Sequence, residues 1–338
     1  MASVTITDVA RRAGVSMKTV SRVLNAEAHV REAVREQVLL AARELHYRPK
    51  AAARSLAGAR SYQVGFMLHQ VSPYAMHAQL GALSACRAHG FHLVVETIDL
   101  AAPDLAADLE ALANGLAVDG MILLPPVCDD PAVLSALDAA AIPYVRVTPA
   151  TAHPRGAGVE IDDESAARVI TDHLLDLGHR RIGFVRGPHN HAASARRLRG
   201  FGQALAARGL EPTPELIQDG AFLYASGLEA AGRLLDLPEP PTAVFAGNDE
   251  TALGVMAKAQ SRGLRIPQDL SVAGFDDIAS ARMIWPGLTT MRQPMADMAA
   301  AAAQVIIAGA GKAAADGPAP PQRFDCELVI RGSTAPPP

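Results

Sequence analysis

Beyond residue 60 the chain alternates between short runs rich in Val, Ile and Phe and longer Ala/Leu-rich stretches whose apolar residues recur at helical spacing. The runs 62–68, 91–96, 120–124, 142–147, 181–186, 242–247, 271–275 and 324–330 read as buried strands. The stretches 76–89, 104–117, 131–140, 163–177, 194–208, 225–236, 249–262 and 294–309 read as the helices that cover them. Strand, helix and strand at this spacing require right-handed crossovers and parallel sheets covered on both faces. Val64-Gly65-Phe66 and Ile182-Gly183-Phe184 open two similar series 118 residues apart, which predicts two α/β lobes rather than one large sheet. Segments near 160 and 290 then become crossovers between lobes, and the arrangement makes a cleft with a hinge. Residues 238–241 and 309–321 are loops by composition.

Before residue 60 the pattern is that of short helices. Thr7 is placed to cap a first helix with Asp8 in its opening turn, Val9, Ala10 and Ala13 on its apolar side and Gly14 at its end. Ser16 caps a second helix through Leu24, and Val15, Val20 and Val23 fill the seam between the two. This is helix-turn-helix spacing, and it leaves Met17, Lys18, Ser21 and Arg22 on an outer face that can read a DNA major groove. A third helix runs from about Glu32 to Leu45. Between Pro49 and Gly58 lies a segment too short to be a stable helix alone, flanked by Arg and Lys. It is suited to ordering over a minor groove, with Leu56 wedging a base step.

Charge sharpens the division. The 338 residues sum to −4, but the first 60 carry eleven Lys/Arg against five acids, and the other 278 carry twenty against thirty. A head of +6 on a body of −10 is the footprint of a chain that takes nucleic acid at one end. Cys86, Cys128 and Cys326 are odd in number and form no C-x-x-C pair, which fits a reducing compartment and no zinc site. The N-terminus lacks the pattern of an export signal, and the apolar stretch 295–311 is interrupted by Asp297 and Gln304, so a cytoplasmic protein with no membrane segment is expected.

Enzyme signatures are missing. The stretch after the first strand reads Leu68-His69-Gln70-Val71-Ser72-Pro73 where a dinucleotide fold needs its glycines, and no P-loop, G-x-S-x-G or H-E-x-x-H is present. His189-Asn190-His191 lacks a nearby acid or cysteine for a metal. In open α/β lobes ligands sit beyond the carboxyl ends of strands. That places candidates at Tyr74 and Met76, 189–197, Phe222, Asn248 with Asp249, and Asp276 with Asp277. Arginine, amide, carboxylate and aromatic faces together suit a polyhydroxyl ligand. Asp249 is equally suited to capping a helix and Asp277 to bracing a loop, while Arg197 could pair with a surface acid. Trp285, the only tryptophan, is either a stacking platform or a packing residue.

Val4-Thr5-Ile6-Thr7-Asp8-Val9-Ala10, Ala13-Gly14-Val15-Ser16, Thr19-Val20-Ser21-Arg22-Val23-Leu24-Asn25, Tyr47-Arg48-Pro49 and Ala53-Arg54-Ser55-Leu56 together resemble the signature of the lactose repressor family of bacterial regulators. The resemblance implies an N-terminal all-α helix-turn-helix domain (1–47), a hinge helix and linker (48–60) and a two-lobed periplasmic-binding-protein-like α/β domain with parallel sheets. The first lobe is 61–160 with 291–322, and the second 161–290 with 323–335. It implies DNA contacts from Thr5, Ser16, Met17, Lys18, Thr19, Ser21, Arg22, Asn25, Arg54 and Leu56. By the same resemblance Arg197, Asn248 and Asp276 match effector-contacting residues and Phe222 an aromatic position, with Tyr74, Met76 and Trp285 completing the candidate set. The implied function is a transcriptional repressor, not an enzyme and without cofactor or metal. It is a homodimer on a near-palindromic operator in double-stranded DNA, with an allosteric small-molecule effector in the cleft. A sugar is favoured and a nucleobase-type corepressor is the alternative. The chain departs from the family at Arg31 and Val34, where Ser or Thr usually caps the third helix, and at Lys50, in place of a frequent Asn.

Overall fold

The computed structural model of the protein describes residues 4–24, 30–47, 60–151, 157–309 and 320–338. They form two compact units, Met1–Tyr62 and Gln63–Pro338.

The first unit holds α1 (Ile6–Ala13), α2 (Met17–Leu24) and α3 (Glu32–Glu44). Thr5, not Thr7, stands at the first N-cap: the Asp8 carboxylate accepts from the Thr5 backbone N–H at 2.9 Å and from its hydroxyl at 2.7 Å. Those hydrogen bonds, the hydroxyl's first, hold the Asp8 carboxyl below the usual range. Gly14 turns the chain in the left-handed region (φ 64°), which a residue with a Cβ adopts only at a cost. The Val15 N–H then donates to the Ala10 carbonyl, and the Ser16 hydroxyl accepts from the Thr19 N–H to cap α2. Val9, Ala10, Ala13, Val20, Val23, Val38, Ala41 and Ala42 form one buried cluster. Asn25, Lys50, Arg54, Leu56 and the expected hinge helix lie outside the described residues.

In the second unit the chain runs through β1 (Gln63–Leu68), α4 (Pro73–Ala88), β2 (His92–Thr97), α5 (Leu105–Gly115), β3 (Met121–Leu123), α6 (Pro131–Ala139), β4 (Tyr144–Val147) and β5 (Ala157–Ile161). It continues through α7 (Asp163–Asp176), β6 (Ile182–Val185), α8 (Ala192–Ala207), β7 (Ile217–Gln218), α9 (Tyr224–Leu235), β8 (Ala243–Ala246), α10 (Asp249–Ser261), β9 (Ser271–Asp276), α11 (Ala279–Met283) and β10 (Thr289–Arg292). It closes with α12 (Met295–Ile307), β11 (Gln322–Phe324) and β12 (Glu327–Val329).

Two six-stranded sheets result, ordered β11-β5-β4-β3-β1-β2 and β12-β10-β9-β8-β6-β7. Every neighbouring pair is parallel except β10 with β12. Central strands such as β3, β6, β8 and β9 are buried along their whole length, as sheets sandwiched between helices require. The segments expected near 160 and 290 are themselves strands, β5 and β10, and the crossovers follow them at 162 and 293–294. The single strand expected over 324–330 is two strands, split at Asp325-Cys326 because β11 pairs in the first sheet and β12 in the second. The chain therefore passes three times between lobes. Among the described residues no helix is long and apolar enough to cross a membrane.

Candidate functional site

The carboxyl ends of both sheets open onto one cavity of about 450 Å³. The first lobe contributes His69, Gln70, Ser72 and Tyr74 from the turn into α4, Leu124 to Pro126 after β3 and Thr148 after β4. The second contributes Asn190, His191, Ala193 and Arg197 from the β6–α8 turn and α8, then Phe222, Asn248, Glu250 and Asp276.

Arg197 is its electrostatic centre. α8 carries the side chain inward, where it is only 4% exposed. Its Nε donates to Asp163 at 2.9 Å and its Nη1 to the Gly247 carbonyl at 2.6 Å, while Asp276 lies 3.8 Å from Nη1. The guanidinium stacks over the Phe275 ring at 3.7 Å, a desolvated cation–π contact of about 2 kcal/mol. Burial opposes the charge, but Asp163 and Asp276 outweigh it and hold the Arg197 pKa above the ordinary arginine value. Asp276 shows the reverse balance. Burial pushes its carboxyl up to about 7 against the opposing pull of Arg197 and of Gln293, whose amide donates to it at 2.6 Å.

Phe222 and Asp276 both hold positive φ, 59° and 119°. Such strain in bulky or branched residues persists only where the surroundings enforce it, and it gathers at ligand sites. Phe222 lies against Gly187 so closely that a Cβ there would sit 2.1 Å from the ring. His191 meets the same ring edge-on, centroids 5.1 Å apart, and burial followed by the Arg197 charge pushes its pKa down to about 3, so the imidazole is neutral. Burial and the neighbouring Asp276 charge raise the Tyr74 phenol.

Tyr74, Arg197, Phe222, Asn248 and Asp276 thus come together, and two expected members do not. Helix α4 starts at Pro73, three residues earlier than the sequence pattern places it, so Tyr74 and Met76 stand about 200° apart around its axis. Tyr74 faces the cavity and Met76 is 53% exposed outside it. Both readings of Trp285 fail: it follows the short α11 and is 88% exposed, neither lining the cavity nor packed. Asn248, not Asp249, caps α10, its Oδ1 accepting from Thr251 and its Nδ2 donating to the Phe222 carbonyl. Asp249 is buried behind the site, accepting from Thr290 and the Ile278 N–H. Asp277 braces Arg292 and Arg331, and Arg197 pairs with buried acids rather than a surface one.

Asp163, Glu250, Thr148 and Gln293 escape the sequence reading. Asp163 opens α7 immediately after one crossover and Gln293 lies in the other, and both meet the site only once the chain has passed between lobes; Glu250 is legible two residues beyond Asn248. His189 bonds Arg186 at 2.9 Å instead of joining His191, and no group of described residues could hold a metal ion.

In the head, Met17 is 53% exposed, Lys18 and Arg22 are exposed and Ser21 and Thr19 half-buried, so α2 presents an outward basic face above a packed seam. The Ser16 and Thr19 hydroxyls share a 2.9 Å hydrogen bond, and Thr5 is exposed beside Asp8.

Residues 5–50 match the model of bacterial regulatory proteins of the lacI family, and 171–334 that of a periplasmic binding protein-like domain. The chain is 37% identical to catabolite control protein A of Priestia megaterium, over 90% of this chain and 92% of that protein. It is 31% identical to the ribose operon repressor of Haemophilus influenzae, over 90% and 91%. Its fold matches a transcriptional regulator CelR–cellobiose complex (TM-score 0.74, 31% identity, 98% of this chain and 99% of that one). It also matches the lac repressor dimer bound to operator and the anti-inducer ONPF (TM-score 0.78, 28% identity, 99% and 100%). The chain belongs to the lacI family of bacterial regulatory proteins, which are DNA-binding regulators and not enzymes.

Proposed function

We propose that this DNA-binding repressor acts in the cytoplasm as a homodimer whose operator affinity is set by a carbohydrate in the interlobe cavity. The observation that carries the reading is the buried Arg197–Asp163–Asp276 cluster beside Phe222, at the carboxyl ends of both sheets. Carboxylate, guanidinium and amide give paired hydrogen bonds to neighbouring hydroxyls, and Tyr74 and Phe222 offer aromatic faces to a sugar ring. Asn248 serves indirectly, holding the Phe222 carbonyl at 3.0 Å. The similarity to a ribose operon repressor and to a CelR–cellobiose complex supports a sugar over a nucleobase.

On the DNA side, Met17 and Lys18 read bases, while Thr5, Ser16, Thr19, Ser21, Arg22 and Asn25 fix the head on the backbone. Arg54 and Leu56 act in the minor groove between half-sites. A sugar that closes the cleft changes the placement of the two first lobes in the dimer, so sugar and operator affinities are reciprocally coupled. A gel shift on the gene's own upstream region, repeated with sugars and nucleobases, tests the scheme. The expected result is a shift that a sugar alters in the parent, with the sugar's effect, not the shift itself, lost in Arg197→Ala; response to nucleobases alone overturns the carbohydrate assignment. Leu56→Ala is expected to weaken operator binding, and unchanged affinity removes the wedge.

A further inference from the structure

We infer that the cavity takes an effector without negative charge, a free hydroxyl-rich sugar in preference to the phosphate ester of the same sugar. The inference rests on the carbohydrate reading above and narrows it. Among the described residues lining the cavity, Arg197 is the only Lys or Arg. Its charge is already offset, by Asp163 at 2.9 Å and Asp276 at 3.8 Å. Phosphate recognition relies on an arginine fork or lysine with charge to spare, and that is what this site lacks.

The groups left unmet point the same way. Glu250 lines the cavity with no hydrogen bond or ion pair among the described residues. The His191 Nδ1, on a residue of the same lining, is buried without a partner. A carboxylate and a neutral imidazole are groups that hydroxyls satisfy, since each hydroxyl brings an O–H to donate and an oxygen to accept. A phosphate dianion brings acceptors alone. It would lose its hydration among Leu68, Leu100, Leu124 and Pro125 and face Asp276 and Glu250 with no compensating cation. Like charge placed against the wrong ligand is a direct route to specificity.

The test uses the full chain at pH 8, with thermal shift followed by calorimetry. Glucose, ribose, cellobiose and trehalose are compared with glucose 6-phosphate, ribose 5-phosphate and trehalose 6-phosphate, and inorganic phosphate is the competitor. The expected result is binding of at least one free sugar, at least about tenfold weaker binding of its ester, and no competition by phosphate. In Glu250→Gln the gap is expected to narrow to a few-fold. An ester that binds as tightly as its free sugar overturns the inference and leaves the carbohydrate reading standing. A gap unchanged in Glu250→Gln overturns the assigned cause. Silence from every sugar and ester, with a nucleobase shifting the melting point, removes the carbohydrate reading and this inference with it.

Discussion

Arg196 on α8 of the second lobe donates its Nη2 to the Pro149 carbonyl of the first lobe at 2.7 Å and to the Ala150 carbonyl at 3.0 Å. The receiving loop is itself fixed. The Ala150 N–H donates to both Asp129 carboxylate oxygens, and Arg146, 3% exposed, pairs with Asp129 and donates to the Thr151 carbonyl at 2.8 Å. One guanidinium thus ties the lobes together beside the cavity, at the position next to Arg197.

Arg196→Ala is therefore expected to favour an open cleft. Charge-assisted hydrogen bonds are worth about 1.5–3 kcal/mol, and partial exposure of Arg196 brings the net nearer 1 kcal/mol, or roughly a fivefold loss of effector affinity. Calorimetry with the sugar that most stabilises the protein, together with small-angle scattering, measures both. Unchanged affinity and radius of gyration would show that closure is held elsewhere.

Gly187 makes room for the Phe222 ring. With only 2.1 Å from a Cβ to the ring, Gly187→Ala pushes Phe222 out of its seat and across the cavity. Effector affinity is expected to fall by an order of magnitude or more, while operator binding without sugar stays near the parent's, because the head is a separate unit. If the variant still responds to sugar at parental concentrations, Phe222 does not shape the site.

Asp276 makes binding depend on pH. Its folded-state pKa of about 7 lies above the ordinary 3.8, so its favourable contribution to folding is complete below the unfolded value and is lost as pH rises towards 7. Asp276→Asn is expected to gain stability over the parent between pH 5 and 8, by up to a few kcal/mol at about 1.4 kcal/mol per unit. Hydroxyls that donate to the carboxylate favour its ionised form, so a sugar expels part of a proton near pH 7 and binds more tightly at pH 8 than at pH 6. Calorimetry in two buffers of different ionisation enthalpy reads this directly; heats independent of buffer contradict it.

The lobes were legible because their strands are continuous apolar runs and their helices keep one period; β3, β6, β8 and β9 lie within a residue or two of where the pattern places them. β5 and β10 were missed because Ala157-Gly158 and Thr289-Thr290 lack the apolar density that marks a strand, and pairing with sheet neighbours overrides propensity there. The cavity was half legible. Strand ends pointed to Arg197, Phe222, Asn248 and Asp276, but a register of three residues in α4 decided between Tyr74 and Met76. Asp163 and Gln293 are adjacent to the site only in space.

On the head, roles within α2 separate by how their loss acts on DNA. Lys18 projects from the first turn of α2 and is exposed, with Met17 beside it braced by the Thr7 hydroxyl 3.3 Å from its sulfur. A residue that reads a base edge costs about 1–3 kcal/mol when removed, and only at the position it reads. A phosphate contact instead weakens all sequences alike and lowers the salt slope by about 0.9 per contact, or roughly 1.8 for the two heads of a dimer. Lys18→Ala is therefore expected to relax base preference at one position in each half-site, and Arg22→Ala to flatten the salt dependence with preference intact. Binding selections on randomised half-sites, repeated at two salt concentrations, separate the two. A Lys18→Ala protein with unchanged preference and a flatter salt slope would move Lys18 to the backbone and leave the reading to other residues of α2.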